Sequence, residues 1–472
     1  YNNLESLPYS SKVYDMQSAI TVIEPDTGNV VAMAGAIGEK TGSRLFNYAT
    51  ARRQCGSAIK PISVYAPALD KGVITPASVI DDAPVRALGG KAWPVNSHSY
   101  FDGLVSVDEA IAESLNTCAV RVVEELGVKE SYNYMTDKLG FTTLVSDTDN
   151  PKQNDINSAS MGLGGLTRGV STVEMAAAYA AFVNQGVYNE PRTYSKVTDQ
   201  DGKTVIDNTG DSWVAMKETT AYFMNKYLRQ VVTSGTGGSA GFSGMTVAGK
   251  TGTTTDNYDR YFVGYTPYYV AAVWTGYEVN VKINASGNPS AKLFRQVMSK
   301  IHANLPNKSF FSVDGGLTSV KVCMDCGNLA SDLCAQDIRG SRVKTVEVAS
   351  GTAPTAVCTC HVAVDWCAEG EAIATEFCPA DQVVQKSAVD YTRSGVAASV
   401  GCRDESSHLA ALQAKPCQVH TSASTEEPTD PVDPNDPNAI DPSVPVDPNV
   451  PVDPGTSDPD PFEPDPDPDA PA

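Results

Sequence analysis

The chain has 472 residues, enough for two or three domains of about 100–200 residues each, with 19% charged and 41% hydrophobic side chains and a formal net charge of -21. Residues 421–472 alone carry 14 acidic and no basic side chains. The rest is therefore only mildly acidic and lacks Lys/Arg runs, which argues against nucleic acid or an anionic membrane surface as the main partner.

No run approaches the roughly 18 consecutive apolar residues of a membrane helix, and the chain opens on Tyr1 with neither a start Met nor a signal-peptide pattern, as an excised or processed piece would.

In chain order, Ala19 to Ile23 and Val30 to Ala34 are β-branched runs joined by Glu-Pro-Asp-Thr-Gly-Asn, which predicts an antiparallel hairpin. A helix is expected to begin near Ser57. Ser106-Val-Asp-Glu109 and Ser171-Thr-Val-Glu174 have the capping-box pattern, in which a hydroxyl and a carboxylate satisfy orphan N–H groups at a helix start. The second box leads into the alanine-rich stretch Met175 to Val183, whose uniform apolarity predicts a helix buried on most sides. Thr246 to Thr253, Tyr261 to Tyr265 and Tyr269 to Tyr277 read as three adjacent strands, and Phe294 to Ala303 as a closing helix. Strands at both ends of a 300-residue segment with helices between predict an α+β domain over residues 1–306, its early and late strands sharing one antiparallel sheet.

Residues 307–420 form a cysteine-rich region with strand-like pieces at Thr318 to Val322 and Val343 to Val348, expected to be mainly β or irregular. From Thr421 onward Asp-Pro repeats dominate, and 15 of the 30 prolines fall there. Such a tail is expected to stay disordered and solvated.

Ser57-Ala-Ile-Lys60 sets a hydroxyl and an amine one helical turn apart, where i and i+3 side chains meet and a neutral lysine can deprotonate the serine. Alone the pair is weak, since Ser341-Arg-Val-Lys344 has the same spacing. Ser114-Leu-Asn116 interrupts a helical pattern running from Asp108 to Leu126 and exposes a second hydroxyl and a carboxamide; Ser286-Gly-Asn288 shares that spacing. Lys250-Thr-Gly-Thr253 lies on a strand edge, whereas Lys40-Thr-Gly42 reads as a solvated loop. The joint order of the three motifs, on a helix start, a helix break and a strand, is what chance explains poorly.

The resemblance extends beyond them. Asn47 to Pro61 (NYATARRQCGSAIKP), Ala110 to Thr117 (AIAESLNT) and Ala248 to Thr254 (AGKTGTT), with Phe262 to Pro267, Trp274 to Tyr277, Gly164-Gly165 and Gly169 to Met175, are similar to the transpeptidase domain of class A penicillin-binding proteins over roughly residues 15–304. That resemblance implies a serine D,D-transpeptidase fold with an all-helical subdomain, no cofactor or metal, peptidoglycan stem peptides as substrates, β-lactams as covalent inhibitors, and a location at the outer face of the cytoplasmic membrane. It also implies a glycosyltransferase domain and membrane anchor upstream, both absent from this chain. By the family pattern Ser57 is the nucleophile, Lys60 the base, and Ser114, Asn116 and Lys250 complete the catalytic set. Thr251, Gly252 and Thr253 hold the substrate carboxylate, and the backbone N–H groups of Ser57 and Thr253 form the oxyanion hole. The alternatives are a D,D-carboxypeptidase or β-lactamase-type hydrolase and a non-catalytic penicillin sensor. A Ser-His-Asp hydrolase is disfavoured, since His98 and His302 are the domain's only histidines and no Gly-x-Ser-x-Gly elbow occurs.

Cys55 and Cys118 lie in the transpeptidase-like part and nine more between Cys323 and Cys417. Cys323-x-x-Cys326, Cys334, Cys358-x-Cys360-His361 and Cys367 could be zinc ligands. An extracellular context instead predicts several disulfides there and no structural metal. Cys55 and Cys118 both stand where the family more usually has proline and flank motifs that must converge, so a Cys55–Cys118 disulfide is expected, with two independent buried thiols as the near-equal alternative.

Overall fold

The computed structural model describes residues 7–9, 12–40 and 42–421; the Asp/Pro tail expected to be disordered lies outside them from residue 422. At the centre is a five-stranded antiparallel sheet in the order Ala248–Thr253, Asp259–Tyr265, Val270–Gly276, Gln17–Ile23, Val30–Ala34. The early hairpin and the three late strands thus share one sheet, joined where Val273 faces Ile20.

Period-2 alternation sorts the strand residues onto two cores. Ala19, Tyr261, Val263, Tyr265, Ala272 and Trp274 face the larger one, with Tyr179 and Phe182 of the helix Thr172–Val183. Ile20, Val22, Phe262, Ala271 and Val273 face the other, against Phe294 and Met298 of the helix Pro289–Ile301. The Phe262 and Phe294 rings meet edge to face at 4.9 Å, a geometry that favours opposed quadrupoles. The aromatics between Tyr258 and Tyr277 therefore mostly fill the core: Tyr261, Phe262, Tyr265, Trp274 and Tyr277 are fully buried.

The helix starts follow their local chemistry. Glu174 N–H donates to Ser171 Oγ while Ser171 N–H donates to Glu174 Oε2, closing the reciprocal cap. The backbone N–H of Ser106 likewise donates to Glu109 Oε2 at 3.0 Å. The closing helix starts at Pro289, five residues before its expected start, because Asn288 caps it by accepting from the N–H groups of Ser290 and Ala291. Short helices including Val107–Ala112, Asn116–Leu126 and Ser158–Leu163 form a helical subdomain beside the sheet.

Beyond it, Leu317–Cys323 pairs with Val343–Ala349, matching both expected strands, and Ala372–Ile373, His361–Cys367 and Val383–Val389 make a three-stranded sheet. This region packs on the transpeptidase-like part through Arg393, whose side chain is only 2% exposed and bridges Asp81 to Asp404, and through Lys344 to Asp108 at 3.0 Å. Among the described residues no helix is long and apolar enough to cross a membrane.

Candidate active site

The segment that carries Ser57 is pinned before it turns. Arg53 Nε donates to Asp259 Oδ1 at 2.9 Å and its Nη2 to the Tyr277 carbonyl at 2.9 Å, tying the approach to the last two strands of the sheet's late half. Gly56 follows at φ +52, and a Cβ there would run into the Thr253 backbone; one on Gly252 would run into the Cys55 carbonyl. Only glycine at both places lets the nucleophile segment and the edge strand approach so closely. Residues Gly56–Ile59 then form a single 3-10 turn, with Lys60 N–H donating to the Ser57 carbonyl, which stacks Ser57 and Lys60 one turn apart.

Lys60 is fully buried. Three acceptors surround its Nζ, the Ser114 carbonyl at 2.7 Å, the Leu115 carbonyl at 3.3 Å and Asn116 Oδ1 at 2.7 Å; the ammonium can donate to all three, the neutral amine to two. The break between helices Val107–Ala112 and Asn116–Leu126 supplies those acceptors: Ser114 sits at φ +61, turning its carbonyl to Lys60 while its Oγ accepts from Lys250 Nζ at 2.8 Å. Both amines lose charge stability in the dry interior. Burial first, and then repulsion by Lys250, holds Lys60 well below the usual amine range; burial brings Lys250 to about 7, opposed by Glu113. Desolvation thus leads, and the like-charge effect expected from sequence comes second.

Ser57, Ser114, Asn116, Thr251 and Thr253 line one cleft of about 710 Å³. Gly252 lies between the two threonines and contributes close backbone packing. Four further groups were missed by sequence reasoning. Arg260, opposite Thr253 on the neighbouring strand, donates from Nη1 to Thr253 Oγ1 at 2.8 Å. Thr236 shares a 3.0 Å hydrogen bond with Thr251. Asn96 Oδ1 accepts from the Asn116 N–H at 2.8 Å, and Asn96 in turn donates to buried Asp82 at 2.7 Å, so Asn116 is braced from behind. Register across strands could have suggested Arg260; the Asn96–Asp82 brace has no local signal.

Two expectations are corrected. Cys55 and Cys118 are not bonded but are free, fully buried thiols in the larger core. Asn116 faces the cleft, and two residues along a helix is a turn of about 200°, so Cys118 points away from it into the apolar interior. The nine other cysteines are free as well; no disulfide forms, and eight of them gather with histidines into donor clusters. The look-alike motifs find structural roles, with Asn288 as a helix cap and Lys344 paired to Asp108. His98 stacks on Tyr100 and His302 is bonded to Thr266 Oγ1, both apart from the cleft lining.

The fold is shared with solved penicillin-binding proteins. A structure of penicillin-binding protein 1A from Haemophilus influenzae superposes with a TM-score of 0.59 over 73% of this chain and 54% of that one at 22% identity. PonA1 from Mycobacterium tuberculosis in complex with penicillin V gives 0.53 over 64% and 81% at 24% identity. Curated relatives are more similar in sequence. Penicillin-binding protein 1A of Clostridium perfringens (strain ATCC 13124) is 34% identical over 74% of this chain and 42% of its own length, and that of Clostridium acetobutylicum 34% over 68% and 40%. This chain spans about two fifths of their length. The family profile described as penicillin binding protein transpeptidase domain matches residues 18–299, and that of the penicillin-binding protein 1A C-terminal domain matches residues 313–363. The chain belongs to the penicillin-binding protein transpeptidase family.

Proposed function

We propose that residues 1–306 are a D,D-transpeptidase domain that cross-links peptidoglycan stem peptides through a Ser57 acyl-enzyme and is acylated by β-lactams, with 307–420 a Cys-rich C-terminal region. The observation that carries this reading is the pair of buried lysines meeting at Ser114 beside Ser57, one amine on its carbonyl and the other on its hydroxyl.

In this reading Ser57 Oγ attacks the penultimate D-alanine carbonyl while its proton passes to neutral Lys60 Nζ. The tetrahedral oxyanion rests on the backbone N–H groups of Ser57 and Thr253, each such donor being worth about 3 kcal/mol. Collapse breaks the peptide C–N bond, and Ser114 relays the proton to the departing D-alanine amine. An amine of a second stem peptide then attacks the ester and restores the serine. Lys250, Thr251, Thr253 and Arg260 supply cations and hydroxyls for the terminal carboxylate. A β-lactam follows the first step, but its leaving nitrogen stays tethered. Such chemistry on stem peptides belongs at the outer face of the cytoplasmic membrane, with a glycosyltransferase domain and an anchor upstream in the whole protein.

Among the described residues that line the cleft there is no Asp or Glu. A β-lactamase of the glutamate-assisted kind needs a carboxylate to activate the deacylating water; its absence from the lining favours a long-lived acyl-enzyme over rapid hydrolysis. Incubating the chain with a D-Ala-D-Ala peptide and a D-amino acid acceptor tests the assignment. D-Alanine release with exchange of the acceptor into the product is expected. Release without exchange would make the domain a carboxypeptidase, and neither would make it a sensor.

A further inference from the structure

We propose that the cysteine-rich region is a zinc module with two Cys3His centres, one made by Cys323, Cys334, Cys358 and His361 and the other by Cys367, Cys378, Cys417 and His420. The four donor atoms of each set lie within 4.8 Å of one another.

Two sulfur–nitrogen spacings in each set match those of a tetrahedral ion. Metal–sulfur and metal–nitrogen bonds of about 2.3 and 2.0–2.1 Å at tetrahedral angles separate S from N by about 3.5 Å. Cys323 Sγ and Cys358 Sγ stand 3.5 and 3.4 Å from His361 Nδ1, and Cys367 Sγ and Cys417 Sγ stand 3.4 and 3.6 Å from His420 Nδ1. A disulfide requires about 2.05 Å between sulfurs. Cys358 and Cys360 approach only to 3.5 Å, and Cys323 and Cys360 to 4.0 Å.

The outer contacts repeat in both centres. His361 turns Nε2 to Asp337 Oδ2 at 3.0 Å, and His420 turns Nε2 to Glu369 Oε2 at 3.2 Å. A carboxylate behind the imidazole fixes its tautomer so that Nδ1 is free to bind metal. Asp325 and Asp337 beside His361 are buried and held by Arg339, with Arg342 on Asp325. Backbone N–H groups point at the sulfurs: Asp325 to Cys323, Ser331 to Cys334, Gly370 to Cys367 and Thr375 to Cys378, at 3.3 to 3.4 Å. Donors aimed at sulfur stabilise thiolate. Thiolate-rich tetrahedral donor sets select zinc over harder divalent ions.

Cys326 and Cys360 form an overlapping quartet with Cys323 and Cys358, which would admit a third ion sharing those two sulfurs. The second centre lies wholly beyond the family-matched residues 313–363. Each centre ties strands and loops far apart in sequence, and the second closes residues 367 to 420 without a covalent bond.

Zinc per chain, measured by plasma mass spectrometry on the full chain purified under reducing conditions and dialysed free of loose metal, tests the proposal. Two ions, or three if the overlapping quartet fills, are expected; one or none overturns it. Cys417→Ser should lose one ion and keep penicillin labelling, so that failure here is separate from failure of the transpeptidase reading. Should that variant not fold, cobalt substitution of the unmutated chain decides: thiolate-to-cobalt charge-transfer absorption is expected, and its absence contradicts the centres. Intact mass without reductant lowered by about two hydrogens per cysteine pair, with no metal, would establish disulfides instead.

Discussion

At the residue scale the site turns on how burial sets the charge of two lysines. Lys60 can serve as base near neutral pH only because its amine is held well below its usual range, whereas Lys250 at about 7 is charged on the acid side and neutral on the other. The acylation rate should therefore rise with pH as Lys60 loses its proton and fall above about 7 as Lys250 loses the charge that draws the carboxylate. Lys60→Ala should slow acylation by the 10²–10⁴-fold usual for a general base and abolish the rising limb. Stopped-flow acylation across pH checks both; an unchanged rate, or a rising limb that survives in the variant, would move the base elsewhere. The residues themselves were legible because a serine and lysine one turn apart, a hydroxyl at a helix break and a strand lysine have local spacing. Asn96 and Asp82, which brace Asn116, act from 20 and 34 positions upstream, and no pattern along the chain announces that.

At the element scale two glycines set the distance between the nucleophile turn and the edge strand. Gly252→Ala would place a methyl against the Cys55 carbonyl and the Ala58 side chain, contacts that backbone cannot relieve by a rotamer change. Overpacking of this kind costs roughly 1–3 kcal/mol, and the strand must shift away from Ser57. A lower melting temperature together with an acylation rate down more than tenfold is expected; full acylation at normal stability would show that the approach is not needed. The sheet and caps were legible because alternation and capping chemistry are local. Spacing makes the clustered cysteines possible zinc ligands, whereas compartment and cysteine density point to disulfides, an expectation that the free thiols overrule. For Cys55 and Cys118 the error lay in treating neighbours in sequence as neighbours in direction, although helical rotation turns alternate residues to opposite sides.

At the scale of the whole molecule, the C-terminal region is fastened to the transpeptidase domain by a nearly buried guanidinium. Arg393 serves Asp81 on one side and Asp404 with Glu405 on the other, while Asp404 also accepts from the Leu104 N–H at 3.0 Å. Removing one member of a buried pair costs about 3–5 kcal/mol because its partners keep their charge. Arg393→Met should release the region, giving an earlier unfolding transition and faster proteolysis after residue 306 while penicillin labelling persists. A single unchanged transition would assign the docking to the apolar contacts. The sequence motifs held no trace of this face, since its partners are some 300 residues apart.

The central claim is that Ser57 is an acylated nucleophile whose cleft deacylates slowly, and intact mass after incubation with penicillin tests it most directly. A stable adduct of one penicillin per chain, mapped to Ser57 and absent from Ser57→Ala, is the result the account predicts. An adduct that persists in Ser57→Ala, or an unmodified chain with the penicillin left intact, would contradict it.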